Sequence, residues 1–265
     1  MKLSVVIAAC DEEQMLEPCL GLLGFADEIV VVVDSRSADR TEAVAKKYTK
    51  NVYRRRLESF AKQKNYGIGK STGDWILIVD ADERVTPALA AEIRSVLADP
   101  GDRAGFRIGF ENYFLGRRIR FGGWDDRHIR LIKKSQARYS GDIHETFSPR
   151  GPVDDLHEPI WHFSHRNIQS MMQKTVNYGE VQAGEMLRNN HPKVTVSSFF
   201  KVIAKELNFR LVKKRGHRDG VQGVIESIYQ TFSLFIVYVI LWQKQRKPGL
   251  EKTYAQLEKK ARAHK

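Results

Sequence analysis

Gly73-Asp-Trp-Ile-Leu-Ile-Val-Asp-Ala-Asp-Glu83 runs an uninterrupted apolar stretch, residues 75–79, straight into acids at Asp80, Asp82 and Glu83. A continuous apolar run of this length reads as a strand covered on both faces. Two carboxylates two residues apart at its end can offer oxygen ligands to a hard divalent cation. The plainer reading is a turn that uses aspartate for its backbone hydrogen bonds. The same pattern recurs outward along the chain. Residues 3–9 are apolar and end at Cys10-Asp11-Glu12, and residues 28–33 end at Asp34-Ser35. Helical spacing occupies 13–23, 41–48 and 59–70, with a short strand at 51–54. Repeated strand–helix–strand units imply a parallel sheet with right-handed crossovers, whose ligands bind beyond the carboxyl ends of the strands.

The rest of the chain changes character. Residues 104–165 alternate short strands (105–110, 129–133, 160–163) with Gly, Pro and Asp turns, as in an antiparallel extension of the sheet. From 167 onward the pattern is helical, through 180–188 and again 199–214. The charge divides along the same line. The 265 residues carry 44 Lys+Arg and 32 Asp+Glu, a net of +12. Residues 201–265 hold 15 of those basic residues and only 5 of the acids, which leaves a nearly neutral body and a basic tail region. Two cysteines, Cys10 and Cys19, exclude a disulfide framework and suit a reducing compartment. Met1-Lys2 leads directly into an apolar strand and then acids, so a cytoplasmic body is expected.

Several function classes drop out. No G-x-G-x-x-G follows the first strand and no G-x-x-x-x-G-K-[ST] occurs, which disfavours dinucleotide-binding enzymes and P-loop NTPases. The basic residues surround an apolar helix instead of interleaving with stacking aromatics, so no nucleic-acid partner is expected.

Three stretches together, Leu3-Ser-Val-Val-Ile-Ala-Ala-Cys-Asp-Glu-Glu13, Ala26-Asp-Glu-Ile-Val-Val-Val-Val-Asp-Ser35 and 73–83, resemble inverting nucleotide-sugar glycosyltransferases of the GT-A fold. Arg120-Phe-Gly-Gly-Trp124, Tyr139-Ser-Gly-Asp-Ile-His-Glu145, Ile160-Trp-His-Phe-Ser164 and Arg215-Gly-His-Arg-Asp-Gly220 narrow the resemblance to the group containing the lipopolysaccharide-core β-1,4-glucosyltransferases. It implies an α/β fold with a Rossmann-like, mostly parallel central sheet flanked by helices. Residues 1–165 would form the catalytic domain, with a nucleotide-sugar half (1–100) and an acceptor half (101–165). Residues 166–265 would be a helical, basic, membrane-associating extension. A UDP-hexose donor, a divalent metal (Mg²⁺ or Mn²⁺) and a lipid-linked or phosphorylated saccharide acceptor follow from the same resemblance.

The site residues are carried over position by position. The resemblance places Ala9 and Glu12 near the uridine and Asp34 on the base or ribose, while a helix-capping role for Asp34 is compatible. Asp80, Ala81 and Asp82 would meet the metal and the donor's ribose or diphosphate, with His162 as third metal ligand; a histidine between Trp161 and Phe163 also reads as an ordinary core residue. Lys62 and Lys64 are either phosphate contacts or a solvated helix face. Glu145 occupies the position of the catalytic base that takes the acceptor hydroxyl proton, with Asp142 as the second candidate. Asp11 stands where the family commonly has Asn. Gly122-Gly123 beside Trp124 reads as a flexible loop with an aromatic platform, preceded by Arg117, Arg118 and Arg120.

Residues 227–243 carry no charge over 17 positions and have basic clusters on both sides. That is short for a bilayer span, and a span would carry one basic cluster across the membrane. The expectation is a helix lying at an anionic membrane surface, peripheral on the cytoplasmic face of a bacterial inner membrane, with Trp242 at headgroup depth; the other reading is a helix packed on the body. Transfer to a polyprenyl phosphate is the second enzymatic reading, and a non-catalytic membrane or nucleic-acid-binding protein the reading from another class.

Overall fold

The computed structural model describes residues 1–124, 127–139 and 147–263, and they fall into two compact units. One comprises Met1–Arg120 with Trp124–Ser164; the other comprises Phe121–Gly123 with His165–Lys265.

The first unit is built on strands β1 (Leu3–Ala9), β2 (Glu28–Asp34), β3 (Val52–Arg55) and β4 (Trp75–Ile78), all parallel, in the order β3-β2-β1-β4. The chain adds β2 on one side of β1 and β4 on the other, so the strand order reverses at β1 and opens a crevice there. The β-branched runs of β1 and β2 and the Ile and Leu of β4 are buried on both faces, each such side chain stabilising the fold by roughly 1.5–3 kcal/mol. Helices α1 (Glu13–Leu20) and α4 (Pro87–Ala98) cover one face through Leu16, Leu20, Leu89 and Ile93. Helix α2 (Thr41–Tyr48) connects β2 to β3, and α3 (Phe60–Lys70) covers the opposite face through Ala61 and Ile68. Ser59 begins α3 by accepting the Lys62 N–H at 3.2 Å, and Thr86 begins α4 in the same way, with Pro87 at the first turn. At Gly67, α3 comes so close to the sheet that a Cβ would lie 2.5 Å from Val6 Cγ1.

Beyond β4 the sheet turns antiparallel. A two-residue strand β5 (Glu83–Arg84) follows, then β6 (Gly105–Phe114), β7 (Arg117–Ile119), β8 (Arg127–Lys133), β9 (Val153–Asp155) and β10 (Ile160–His165). β8 pairs antiparallel with β4 (Leu77 opposite Leu131) and with β6, while β10 pairs antiparallel with β5 (His162 opposite Glu83). This is the parallel half plus antiparallel extension of a GT-A-like α/β fold. Strand β6 runs four residues past the apolar piece visible in the sequence, through Glu111 and Asn112 to the buried Phe114, and β10 runs two residues past its own.

The second unit contains α5 (Ile168–Arg188), α6 (Val196–Leu207), α7 (Gly220–Gln245) and α8 (Leu250–Ala263). Helix α5 covers the helical stretch expected from 167 through 188. The expected 199–214 helix starts earlier and changes to a π-helical stretch over Asn208–Lys213. Ala183, Val194, Val237, Ile240 and Leu241 form this unit's core. Helix α7 is thus neither wholly exposed nor wholly buried: one face packs within the unit and the other looks outward. The Gly-Gly loop is fastened within the same unit, Gly122 N–H donating to Lys214 O at 2.9 Å and Phe121 N–H to Asp219 at 2.8 Å. Gly122 and Gly123 take φ of 83° and 96°, a region that glycine alone enters freely, so the flexible platform expected there is a bonded turn.

Candidate active site

Because β1, β2 and β4 are parallel and adjacent, their carboxyl ends share one edge. The loops after β1 and β2 are laced together there. Asp11 Oδ1 accepts the Ala38 N–H at 2.8 Å, Glu12 N–H donates to Thr41 Oγ1 at 2.8 Å, and Glu13 N–H donates to Asp39 at 2.9 Å. Asp11 holds a left-handed φ of 54°, which Asn and Asp tolerate better than other side chains; the Asp-for-Asn exchange therefore keeps the turn. Ala9 ends β1, buried, and Glu12 caps α1 with its carbonyl.

Asp34 is buried at the end of β2. Burial works against its charge, but Arg36, through its guanidinium (2.6 Å) and backbone N–H (3.0 Å), and the Leu57 N–H prevail and hold its carboxyl below the ordinary range. It stabilises its own turn instead of capping α2, whose first residue is bonded by Asp39. The Cys10 thiol beside it is pushed up to about 12 by burial and the carboxylates of Asp11 and Asp34.

Four ionisable groups meet at the end of β4. Lys64 Nζ lies 3.2 Å from Asp80 Oδ1, and Arg130 reaches Asp80 Oδ2 at 3.2 Å and Glu83 Oε1 at 2.7 Å. Glu83 Oε2 accepts the Asp80 N–H at 2.8 Å, closing the turn. Burial opposes the charge on Asp80, yet the two cations outweigh it and hold the carboxyl down, at about 2. Burial dominates at Glu83 and raises it to about 7. The antiparallel pairing of β8 with β4 carries Arg130 to this edge, where it also lies 5.2 Å over the Phe110 ring. Its Nε is buried with no hydrogen-bond partner among the described residues.

The structure separates the two lysines that the sequence leaves equivalent. Lys64 is buried in this cluster, whereas Lys62, also on α3, is exposed and pairs with Glu58 at 2.7 Å. The phosphate-contact alternative therefore falls to Lys64, and Lys62 belongs to the solvated face.

The three expected metal ligands do not all turn to one point among the described residues. Asp80 turns both oxygens to cations, and among the described residues no three metal-ligating side chains converge. Asp82 and His162 do face one another, with Oδ1 and Nε2 3.7 Å apart. The β10–β5 register sets this, since His162 lies opposite Glu83, the neighbour of Asp82. Asn112 on β6 accepts from His162 Nδ1 at 2.8 Å and donates to Trp124 O at 3.0 Å. With the proton on Nδ1, the Nε2 lone pair is aimed at the carboxylate side. Burial disfavours an imidazolium here, but Asp82 prevails and raises His162 above its ordinary value. One carboxylate oxygen and one imidazole nitrogen at this separation fit a divalent cation that takes its remaining ligands from phosphate and water. The buried peptide of Ala81 serves the turn, its carbonyl accepting from Arg84 at 2.9 Å.

Asp142 and Glu145, the candidate bases, lie outside the described residues. The chain on either side of them is fixed: Asn65 of α3 brackets Tyr139, donating to its carbonyl at 3.0 Å and accepting its N–H at 2.9 Å. Tyr139 stacks on Phe147 at 3.8 Å, with Lys64 Nζ 5.5 Å from its ring. Arg118 of the neighbouring basic stretch is paired with Glu111 at 2.8 Å. Arg130 and Asn112 are the site residues missed in the sequence. A charged and an amide side chain inside strands were the available signals.

The sequence profile of Glycosyl transferase family 2 matches residues 4–146, over half of the chain. The chain belongs to this family. It is an inverting nucleotide-sugar glycosyltransferase. Among curated relatives of this family 2 enzyme is the lipopolysaccharide core biosynthesis glycosyltransferase LpsC of Rhizobium meliloti. It is 27% identical over 261 residues, covering 92% of this chain and 93% of the relative. An uncharacterized glycosyltransferase, RC0292 of Rickettsia conorii, is 23% identical over 252 residues, 89% of this chain and 88% of that one. Among solved structures, S. aureus TarS 1–349 in complex with UDP-GlcNAc aligns at 13% identity with a TM-score of 0.47, covering 94% of this chain and 93% of that chain.

Proposed function

We propose that this family 2 enzyme moves a hexose, glucose by the resemblance of its motifs, from a UDP-sugar to a saccharide on a lipid carrier such as the lipopolysaccharide inner core, at the cytoplasmic face of a bacterial inner membrane. The observation that carries the donor reading is the convergence of Asp34, Lys64, Arg130, Asp82 and His162 at one edge of the sheet. The acceptor reading is supported by the near full-length likeness to the lipopolysaccharide core enzyme.

Each group has a physical task. Asp34, kept ionised by Arg36, accepts hydrogen bonds from the ribose or base. Lys64 and Arg130 set two buried positive charges where the diphosphate arrives, at low solvent exposure where such charges act strongly. Asp82 and His162 hold the divalent cation, which when bound neutralises the diphosphate as a leaving group. Glu145 takes the proton of the acceptor hydroxyl as its oxygen bonds to the anomeric carbon. The bond from that carbon to the diphosphate oxygen breaks on the opposite face, UDP departs, and the configuration inverts.

The test is transfer measured across nucleotide sugars with saturating Mg²⁺ or Mn²⁺, for the native chain and for Asp82→Ala. Full activity in that variant overturns the assignment. A Glu145→Gln variant that still transfers sugar points to a phosphate anion as acceptor, such as a polyprenyl phosphate, because an anion needs little help from a base.

A further inference from the structure

The first half of helix α7 is arranged inside out. Its inward side carries Glu226, Ser227, Tyr229 and Thr231, all buried, before Val237, Ile240 and Leu241 continue it into the unit's apolar core. Three of the polar four are bonded inside the unit: Ser227 Oγ donates to Gly223 O at 2.7 Å, Thr231 Oγ1 to Ser227 O at 2.8 Å and Tyr229 OH to Met171 O at 2.6 Å. Its outward face is a seam of apolar side chains at alternating spacings of four and three. Val221, Ile225, Ile228 and Phe232 begin it, and Trp242 ends it; Val221 is 70% and Ile228 52% exposed. The half-buried Phe235 and Val239 fill the places between. At 1.5 Å per residue the seam is about 30 Å long. A water-facing helix shows the reverse order, polar outside and apolar inside. The apolar surface continues onto α6, where Phe199 packs edge-on to Phe235 at 5.5 Å while Phe200 next to it is 71% exposed.

We propose that this seam lies flat in the headgroup–acyl boundary of an anionic lipid bilayer, which deepens the membrane placement proposed above. Three observations select lipid as the occupant. First, basic residues bracket the seam, Lys213, Lys214 and Arg215 before it and Lys244, Arg246 and Lys247 after it, and they complement an anionic surface. Arg246 sits 4.9 Å over the Trp242 ring, a cation and an indole together at headgroup depth. Second, the spacing would also suit a coiled coil, but the positions flanking the seam (Gln222, Val224, Tyr229, Thr231, Ile236 and Tyr238) carry no charge to set a partner helix. Two copies would also bring like-charged ends together. Third, α7 is long and apolar enough to cross a bilayer, but a crossing would take its packed neighbour with it. Helix α5 packs along it and exposes apolar Met172 and Val176, but also the pair Gln173–Asn177 and the ion pair Lys244–Glu180 at 2.7 Å, groups costly to place in hydrocarbon. A helix apolar on one side and held by a polar neighbour on the other lies in the surface plane.

The experiment sediments the full-length chain with phosphatidylglycerol–phosphatidylcholine vesicles and with phosphatidylcholine alone, for the native chain and the Ile228→Asp/Phe232→Asp double variant, with UDP binding measured alongside. The native chain binds the anionic vesicles, less tightly as salt rises. The double variant binds them at least about tenfold more weakly with UDP binding unchanged. UDP binding lost in the native chain counts against the donor site, not against the seam. Equal vesicle binding by both proteins overturns the proposal. So does a native chain that is dimeric without lipid while the double variant is monomeric, since the seam would then join two copies. If the double variant does not fold by circular dichroism, Ile228→Trp decides. Quenching of its added fluorescence by brominated lipid supports insertion, and no quenching overturns it.

Discussion

Two regions of this chain break the rule that charge faces water and apolar groups face inward, and they break it in opposite senses. At the end of β4, Lys64, Glu83 and Arg130 are withdrawn from water around a partly exposed Asp80. Along α7, Val221, Ile225, Ile228 and Phe232 are pushed out into it. The first reversal is compensated internally, every buried charge having a counter-charge within 3.3 Å, so the site stands organised before a donor arrives. The second has no compensation among the described residues of its unit, and the bilayer proposed above would supply it. A reversal closed on itself marks a place for chemistry; one left open marks a place for a partner.

The largest expected effect sharpens the first region. Glu145→Gln lowers transfer by about a thousandfold while UDP-sugar affinity, read by calorimetry, stays near native; lost donor binding rejects the base assignment. Asp82→Ala lowers transfer by about a hundredfold at saturating metal.

The two lysines of α3 then test whether burial or charge alone matters. Lys64→Ala removes a counter-charge from Asp80 and should weaken UDP binding about tenfold or more. Lys62→Ala should change it by less than about twofold, and equal effects would erase the distinction. Asn112→Ala should raise the half-saturating metal concentration by about tenfold or more through loss of imidazole orientation, seen in metal titrations of donor binding. The smallest effect is on pH. Asp82 raises the proton affinity of His162, so a proton competes with metal from a higher pH than an ordinary imidazole allows. As pH falls through that range, more metal is needed, and His162→Gln should flatten the dependence.

Much of the donor site was legible because parallel strands align their ends: the acids after residues 3–9, 28–33 and 75–79 mark one edge from sequence alone. What pairing brings from afar was not legible. Arg130 reaches Asp80 only through the β8–β4 register, and Asn112 reaches His162 across β6 and β10. Lys62 and Lys64 look alike in sequence because periodicity does not say which face of α3 meets the sheet. In α7, Tyr229 and Thr231 looked like dilution of an apolar helix. They are buried against the unit, on either side of the outward four-three seam.

Gly67 gives the donor site a mechanical setting that no ligand-contacting residue controls. A single methyl group there would strike Val6 and Val32 of the sheet, and either these packed valines shift or α3 lifts. Lys64, one turn earlier, would rise with it, and Asn65 would carry the Tyr139 anchor along. One hydrogen-for-methyl exchange at a position remote from sugar, phosphate and metal should therefore detune all three together, with overpacking costing about 1–3 kcal/mol of stability. Tolerance to substitution at Gly67 measures how finely the helix-to-sheet spacing is gauged.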